Sequence, residues 1–125
     1  MQAATNLDFV SIQVLDMKRS EEFYLNTLGF KKGFVPNPHA VVFETEAGSI
    51  FAIRTPIVDL EKIESKGAGI SLWFKVVDVE ALYARLREKD VFILKPIEDS
   101  PFGRVFTLRD PDGYAITIHG TVTRN

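Results

Sequence analysis

The sequence predicts an α+β fold built from two tandem copies of one β-α-β-β-β motif. Three observations carry that prediction. An alternating apolar run, then Asp, then a helical pattern occurs once in each half. Each half also ends in two strand-like runs joined by a short turn that contains Gly. Finally, 125 residues suit a single domain, and 46% of them are hydrophobic, enough for a core at this size.

Residues 9–14 alternate, with Val10, Ile12 and Val14 on one face, which is the period of a half-buried strand. Asp16 follows and suits a helix cap ahead of residues 17–28. Gly29 is placed to end that helix, because glycine accepts the left-handed backbone common just past a helix end. Residues 41–44 lead through Thr45-Glu46-Ala47-Gly48 into residues 49–53 as a hairpin. Residues 56–67 read as a linker opened by Pro56 and closed by Gly67, so module one spans about 7–55 and module two about 68–120. The second module repeats the order. Residues 70–76 alternate, with Ile70, Leu72, Phe74 and Val76 on one face, and Asp78 follows. Val79, Leu82, Tyr83 and Leu86 then fall at the spacing of an amphipathic helix. Residues 105–109 pass through Asp110-Pro111-Asp112-Gly113 into residues 114–118, a stronger hairpin signal, since Pro presets one turn angle and Gly accepts a positive φ.

Composition narrows the function classes. The formal charge is −2 with acids and bases interleaved, so no basic stripe exists to follow a phosphate backbone, and nucleic acid is not an expected partner. The absence of cysteine excludes disulfides and thiolate metal sites. No apolar stretch approaches the ~20 residues that span a bilayer, and the first eight residues carry no signal-peptide pattern, so a cytoplasmic protein without a membrane partner is expected. No nucleophile-elbow serine motif and no Gly-rich phosphate loop is present.

The ordered set Val14-Leu15-Asp16, Phe23-Tyr24, Leu28-Gly29-Phe30, then Val76-Val77-Asp78, Phe102-Gly103-Arg104 and Asp110-Pro111-Asp112-Gly113 resembles the vicinal oxygen chelate superfamily. That group includes glyoxalase I, extradiol dioxygenases, fosfomycin-resistance enzymes and bleomycin-resistance proteins. The resemblance covers residues 7–120. It implies a mixed sheet that curls around a cavity, usually completed in a homodimer. It also implies a divalent metal held by His, Glu or Gln from four strands.

This sequence departs from that pattern at every ligand position. The first ligand normally stands seven residues before the Asp after strand one, which here is Phe9, and its counterpart in module two is Ser71. The last normally stands four residues after the hairpin Gly, which gives Ala52 and Thr117. None of these is His, Glu or Gln, and a neutral hydroxyl such as that of Ser71 is a poor substitute for imidazole. In plan, the chain is therefore similar to the metal-free, bleomycin-resistance-like members. No cofactor is expected.

Strand alternation assigns the side chains that would face the cavity. They are Phe9, Ser11 and Gln13, then Ile50, Ala52 and Arg54, then Ser71, Trp73 and Lys75, and finally Ala115, Thr117 and His119. Of these, Phe9, Ser11, Gln13, Arg54, Ser71, Trp73, Lys75, Thr117 and His119 form the expected ligand-binding set. Apolar walls with sparse polar tips are typical of ligand pockets. Trp73 offers a stacking plane and one N–H donor, and Arg54 suits a carboxylate or phosphate. Plainer readings stand beside these. Trp73 also suits core or dimer interface, Phe9 also suits a filler, and Arg54, Lys75 and His119 also suit solvated strand ends. The loop chemistry of residues 100–104 predicts a mobile lip over the cavity.

Three functions follow. The first is metal-independent small-molecule binding. The alternative is a metal-dependent glyoxalase- or dioxygenase-like enzyme with displaced donors, for which His119, Gln13, Glu44 and His39 are available. The third is a structural or regulatory dimer whose cavity is collapsed by Phe9 and Trp73.

Overall fold

Two aspartates open the two halves of the fold in the same way. In the computed structural model, which describes residues 2–46 and 48–120, Asp16 and Asp78 have extended backbones, with φ of −128° and −129°. The Oδ1 atom of each accepts the N–H three residues on, from Arg19 and Ala81, both at 3.0 Å. These bonds satisfy donors that a helix start otherwise leaves unpaired. They open helices α1 (Met17–Glu22) and α2 (Val79–Glu88).

Helix α1 is shorter than the sequence suggests. It passes into one π-helical turn, Phe23–Thr27, in which the Leu28 N–H donates to the Phe23 carbonyl at 3.0 Å. One widened turn barely changes the apolar spacing of so short a segment, so periodicity reads it as one helix. Gly29 ends it at a φ of 84°.

Each half contributes four strands. The first has β1 (Val10–Gln13), β2 (Lys31–Lys32), β3 (Ala40–Thr45) and β4 (Gly48–Arg54), in the spatial order β1-β4-β3-β2. The second has β5 (Leu72–Lys75), β6 (Ile93–Ser100), β7 (Gly103–Arg109) and β8 (Ala115–Gly120), in the order β5-β8-β7-β6. In both, the first strand runs parallel to the last and the remaining pairs are antiparallel. The fold is thus α+β, with two four-stranded mixed sheets of one topology. The chain divides into two compact units between Ile63 and Glu64.

Strand β5 begins two residues later than the alternation suggests. Leu72 pairs with Ile116, the second residue of β8, and Tyr114, two residues before Ile116, is bonded to Asp110 across the hairpin turn. Ile70 therefore has no ladder to join and is 67% exposed.

Each helix covers one face of its own sheet. In the first unit, Tyr24 from the π turn is fully buried with Phe43 and Phe51, its ring 5.5 and 5.2 Å from theirs, and Ile12, Val14, Val41 and Ile53 are buried too. In the second, Val79, Leu82 and Leu86 of α2 are buried, as are Phe106, Leu108, Ile116 and Ile118 of the sheet. Tyr83 meets Phe106 edge-on at 5.0 Å. These are the strand and helix faces that the period-two and period-3.6 patterns select.

The turns follow their chemistry. The buried Asp110 carboxylate accepts the N–H groups of Asp112 and Tyr114 at 3.0 and 2.9 Å, and Gly113 takes a φ of 94°. Asp110 is therefore committed to the turn. At the other hairpin, Thr45 Oγ1 donates to the Gly48 carbonyl at 2.9 Å; Ala47 of that turn lies outside the described residues. The linker is partly ordered by a 3₁₀ turn, Leu60–Lys62, with Leu60 buried. Among the described residues no helix is long and apolar enough to cross a membrane.

Gly120 closes β8 where nothing larger fits. A Cβ there would lie 2.3 Å from the Val76 carbonyl oxygen and 2.8 Å from Val79 Cγ2. Gly120→Ala is expected to lower stability by about 1–3 kcal/mol, the usual cost of forcing atoms into a packed site. The check is an earlier urea unfolding midpoint; an unchanged midpoint would mean the backbone yields freely.

Candidate functional site

The faces that the helices leave uncovered carry the expected site residues, and each unit supplies its own set. In the second unit, Trp73 lies across from Thr117 on β8, which lies across from Thr107 on β7. Two residues along, Lys75 lies across from His119, which faces Val105. The structure therefore brings Trp73, Lys75, Thr117 and His119 together on one sheet face.

Trp73 is the centre of this group. It is 47% exposed. The Phe102 ring meets it edge-on at 5.7 Å and the His119 ring does so at 5.6 Å. The indole is thus half-exposed between two rings that meet it at steep angles. Thr107 and Thr117 share a hydroxyl–hydroxyl hydrogen bond of 3.0 Å, which ties together the two side chains next across the sheet from Trp73. Lys75 is exposed.

The remaining residue of the set in this unit, Ser71, lines an open recess of about 480 Å³ at the other end of the same strands. Arg109, Ala115, Lys66, Glu64 and Asp112 also line it. Arg109 is a residue that sequence reasoning missed. The signal was available, because the hairpin at residues 110–113 sets Arg109 directly opposite Ala115, which alternation had already placed on that face. Its Nη1 donates to the Gly113 carbonyl at 2.7 Å.

In the first unit, Ser11 pairs with Ala52 and Gln13 with Arg54, again on the uncovered face. Their chemistry differs from the expectation. Gln13 Oε1 accepts the N–H groups of Ile57 and Val58 at 2.7 and 3.2 Å, so it ties down the chain after β4. Arg54 Nε donates to the Thr55 carbonyl at 3.1 Å. Phe9 precedes β1 and is 55% exposed.

The metal that the family resemblance implies does not fit these residues. Phe9 and Ala52 have no donor, and the Thr117 hydroxyl is engaged with Thr107. Ser71 is a lone neutral hydroxyl. Among the described residues, no three His, Asp or Glu side chains are grouped so that they could hold a metal ion. His39 sits in a turn in which its N–H donates to Asn37 Oδ1 at 2.8 Å, and Glu44 is exposed on β3 opposite Lys31.

The lip is a braced turn. Ser100 Oγ donates to the Gly103 carbonyl at 2.8 Å and accepts the Phe102 N–H at 3.1 Å, while Gly103 holds a φ of 96°. Arg104 Nε donates to Glu80 Oε1 on α2 at 2.7 Å, and Nη1 donates to Asp99 Oδ1 at 3.3 Å. The hydrogen bond to Glu80 is the main cause that raises the Arg104 guanidinium above its ordinary value, and an arginine carries its charge in either case.

The duplicated strand-Asp-helix module, with its two matching mixed sheets, is that of the vicinal oxygen chelate class. The chain belongs to the Glyoxalase/Bleomycin resistance protein/Dioxygenase superfamily, whose model matches residues 6–118. It is 23% identical over 111 residues to the phenazine antibiotic resistance protein EhpR of Enterobacter agglomerans, covering 86% of this chain and 85% of that one. The crystal structure of TnmS3, an antibiotic binding protein from Streptomyces sp. CB03234, is 25% identical with a TM-score of 0.73, covering 98% of this chain and 100% of that one. A protein of unknown function from Agrobacterium tumefaciens str. C58 is 26% identical with a TM-score of 0.74, covering 97% and 98%.

Proposed function

We propose that this chain is a metal-independent small-molecule-binding protein that takes a flat aromatic ligand against Trp73. The observation that carries the reading is the half-exposed Trp73 ring between Phe102 and His119, on a face where Thr117 replaces a metal ligand. Trp73 and Phe102 are exposed side by side, and a contiguous apolar patch, unlike a single exposed ring, supports a binding or subunit interface. Two relatives support the class of ligand. One is a resistance protein for phenazine, a planar fused-ring antibiotic, and the other is an antibiotic binding protein. Both belong to proteins that this chain resembles at 23% and 25% identity. The proposal keeps the cytoplasmic homodimer expected from the sequence and the family resemblance.

Two contacts weigh against the enzyme alternative: Gln13 Oε1 accepts the N–H groups of residues 57 and 58, and the His119 ring packs against Trp73.

Trp73 is the single tryptophan of the chain, so its fluorescence reports the site directly. Titration of chelator-treated protein with phenazine and phenazine-1-carboxylate is expected to give saturable quenching of Trp73 by at least one of them. Added Zn²⁺, Mn²⁺ or Fe²⁺ is expected to leave the binding curve unchanged. Binding that vanishes on chelation and returns with one of these ions would instead establish the metal-dependent reading.

A further inference from the structure

Phe102 shapes the Trp73 face, yet little holds its ring there. It is 68% exposed, and among the described residues its ring partner is Trp73. Its position therefore depends on the turn that carries it. That turn is anchored on the opposite side of the sheet. Along β7, Val105 lies across from His119 on the Trp73 face, so Arg104, one residue earlier, points the other way. There its guanidinium meets two carboxylates from two elements, Glu80 on α2 at 2.7 Å and Asp99 on β6 at 3.3 Å. Asp99 is also the cross-strand partner of Arg104, and Ser100 pairs with Gly103. Phe102 is two residues from Arg104, across a glycine with a φ of 96°.

We infer that Arg104, held by Glu80 and Asp99, is the positioning residue that sets Phe102 against Trp73 and so fixes the shape of the ligand face from behind the sheet. This inference rests on the proposed function for its bearing on ligand, but not for the contact itself. A planar guanidinium that bridges two carboxylates fixes direction as well as distance. The Arg104 side chain is 24% exposed, while those of Glu80 and Asp99 are 58% and 86% exposed. The bridge therefore lies in reach of salt, which screens exposed pairs first. The Trp73 face is in consequence sensitive to ionic strength, although none of the three charged residues touches it.

The single tryptophan makes the inference measurable without any ligand. R104Q is expected to red-shift Trp73 emission and to raise its acrylamide quenching constant by roughly 1.5-fold to twofold, as a loosened surface ion pair would allow. E80Q, which leaves Arg104 in place, is expected to move both readings in the same direction and covers the case in which R104Q folds poorly. F102A is expected to match or exceed the shift of R104Q. The double variant F102A/R104Q should go no further than F102A alone, because both changes remove one contact. In wild type, salt at about 1 M, where screening acts within about 3 Å, should reproduce part of the shift that R104Q already shows.

Wild-type emission and quenching in both folded R104Q and folded E80Q would overturn the inference. So would additive effects of R104Q and F102A, which would make the bridge a matter of general stability. Phenazine titration then separates the two readings. If the ligand-free shifts occur and no aromatic probe binds, the positioning role stands and the proposed function falls. If probes bind wild type and R104Q with equal affinity and equal emission, the positioning role falls and the proposed function stands.

Discussion

Tyr24→Ala is expected to remove about 3–5 kcal/mol of folding stability, the range for deleting a large buried aromatic ring. The ring is fully buried and lies at 5.2 to 6.0 Å from those of Phe30, Phe43 and Phe51. These neighbours belong to separate pieces of the first unit: Phe43 sits on β3, Phe51 on β4 and Phe30 just past the helix exit. They are held by strand ladders and by the bond from the Phe30 N–H to the Tyr24 carbonyl at 2.9 Å. A void there cannot close without shifting two strands, so both transfer and cavity costs apply. Total stabilities of about 5–15 kcal/mol are typical, so this loss would leave a small margin. Tyr24→Phe keeps the ring volume and should lose much less. Urea unfolding of the three proteins is the check. A Tyr24→Ala midpoint close to wild type would mean that the aromatic cluster is loosely packed.

The features legible in the sequence were those that local chemistry determines. Asp16 and Asp78 cap helices because a short carboxylate reaches an N–H three residues on, whatever the rest of the chain does. Alternation placed Ile12 and Val14, and later Phe74 and Ile118, on the helix-covered faces because a strand has period two. Strand β6 escaped this logic. It is an edge strand, it contains Pro96, and its register shifts between Ile93 and Lys95 and again between Lys95 and Glu98. Bulges break the alternation, and a residue without an N–H is tolerated only at an edge or an irregularity.

The site was legible as faces and not as partners. Gln13 stands on the uncovered face that alternation assigns, but its oxygen is bound by N–H groups 44 and 45 residues away in sequence. No pattern within a strand encodes that bond. Phe102 was visible as part of a lip, yet its contact with Trp73 depends on a hairpin turn meeting a strand 29 positions earlier, which only the folded sheet brings about. Arg104 follows the same rule, since its carboxylate partners come from α2 and β6.

Trp73→Ala is expected to weaken binding of a flat aromatic ligand by about 1–3 kcal/mol, roughly fivefold to 150-fold in Kd, the range found when a stacking side chain is truncated. Its folding stability should change by no more than about 1 kcal/mol, because a half-exposed surface side chain leaves no closed cavity behind. The two effects separate a binding residue from a core residue, for which the larger loss would be in stability. Calorimetric titration is the appropriate measurement, since the variant has no tryptophan left to report. Trp73→Phe retains a π face and the edge contacts toward Phe102 and His119, so it should fall between wild type and Trp73→Ala. This ordering tests the mechanism as well as the location. If only burial of apolar area mattered, Trp73→Leu would bind as well as Trp73→Phe. If stacking between rings matters, Trp73→Phe should bind more tightly. Unchanged affinity in Trp73→Ala would move the ligand away from this face, and the Ser71 and Arg109 recess would become the next place to look.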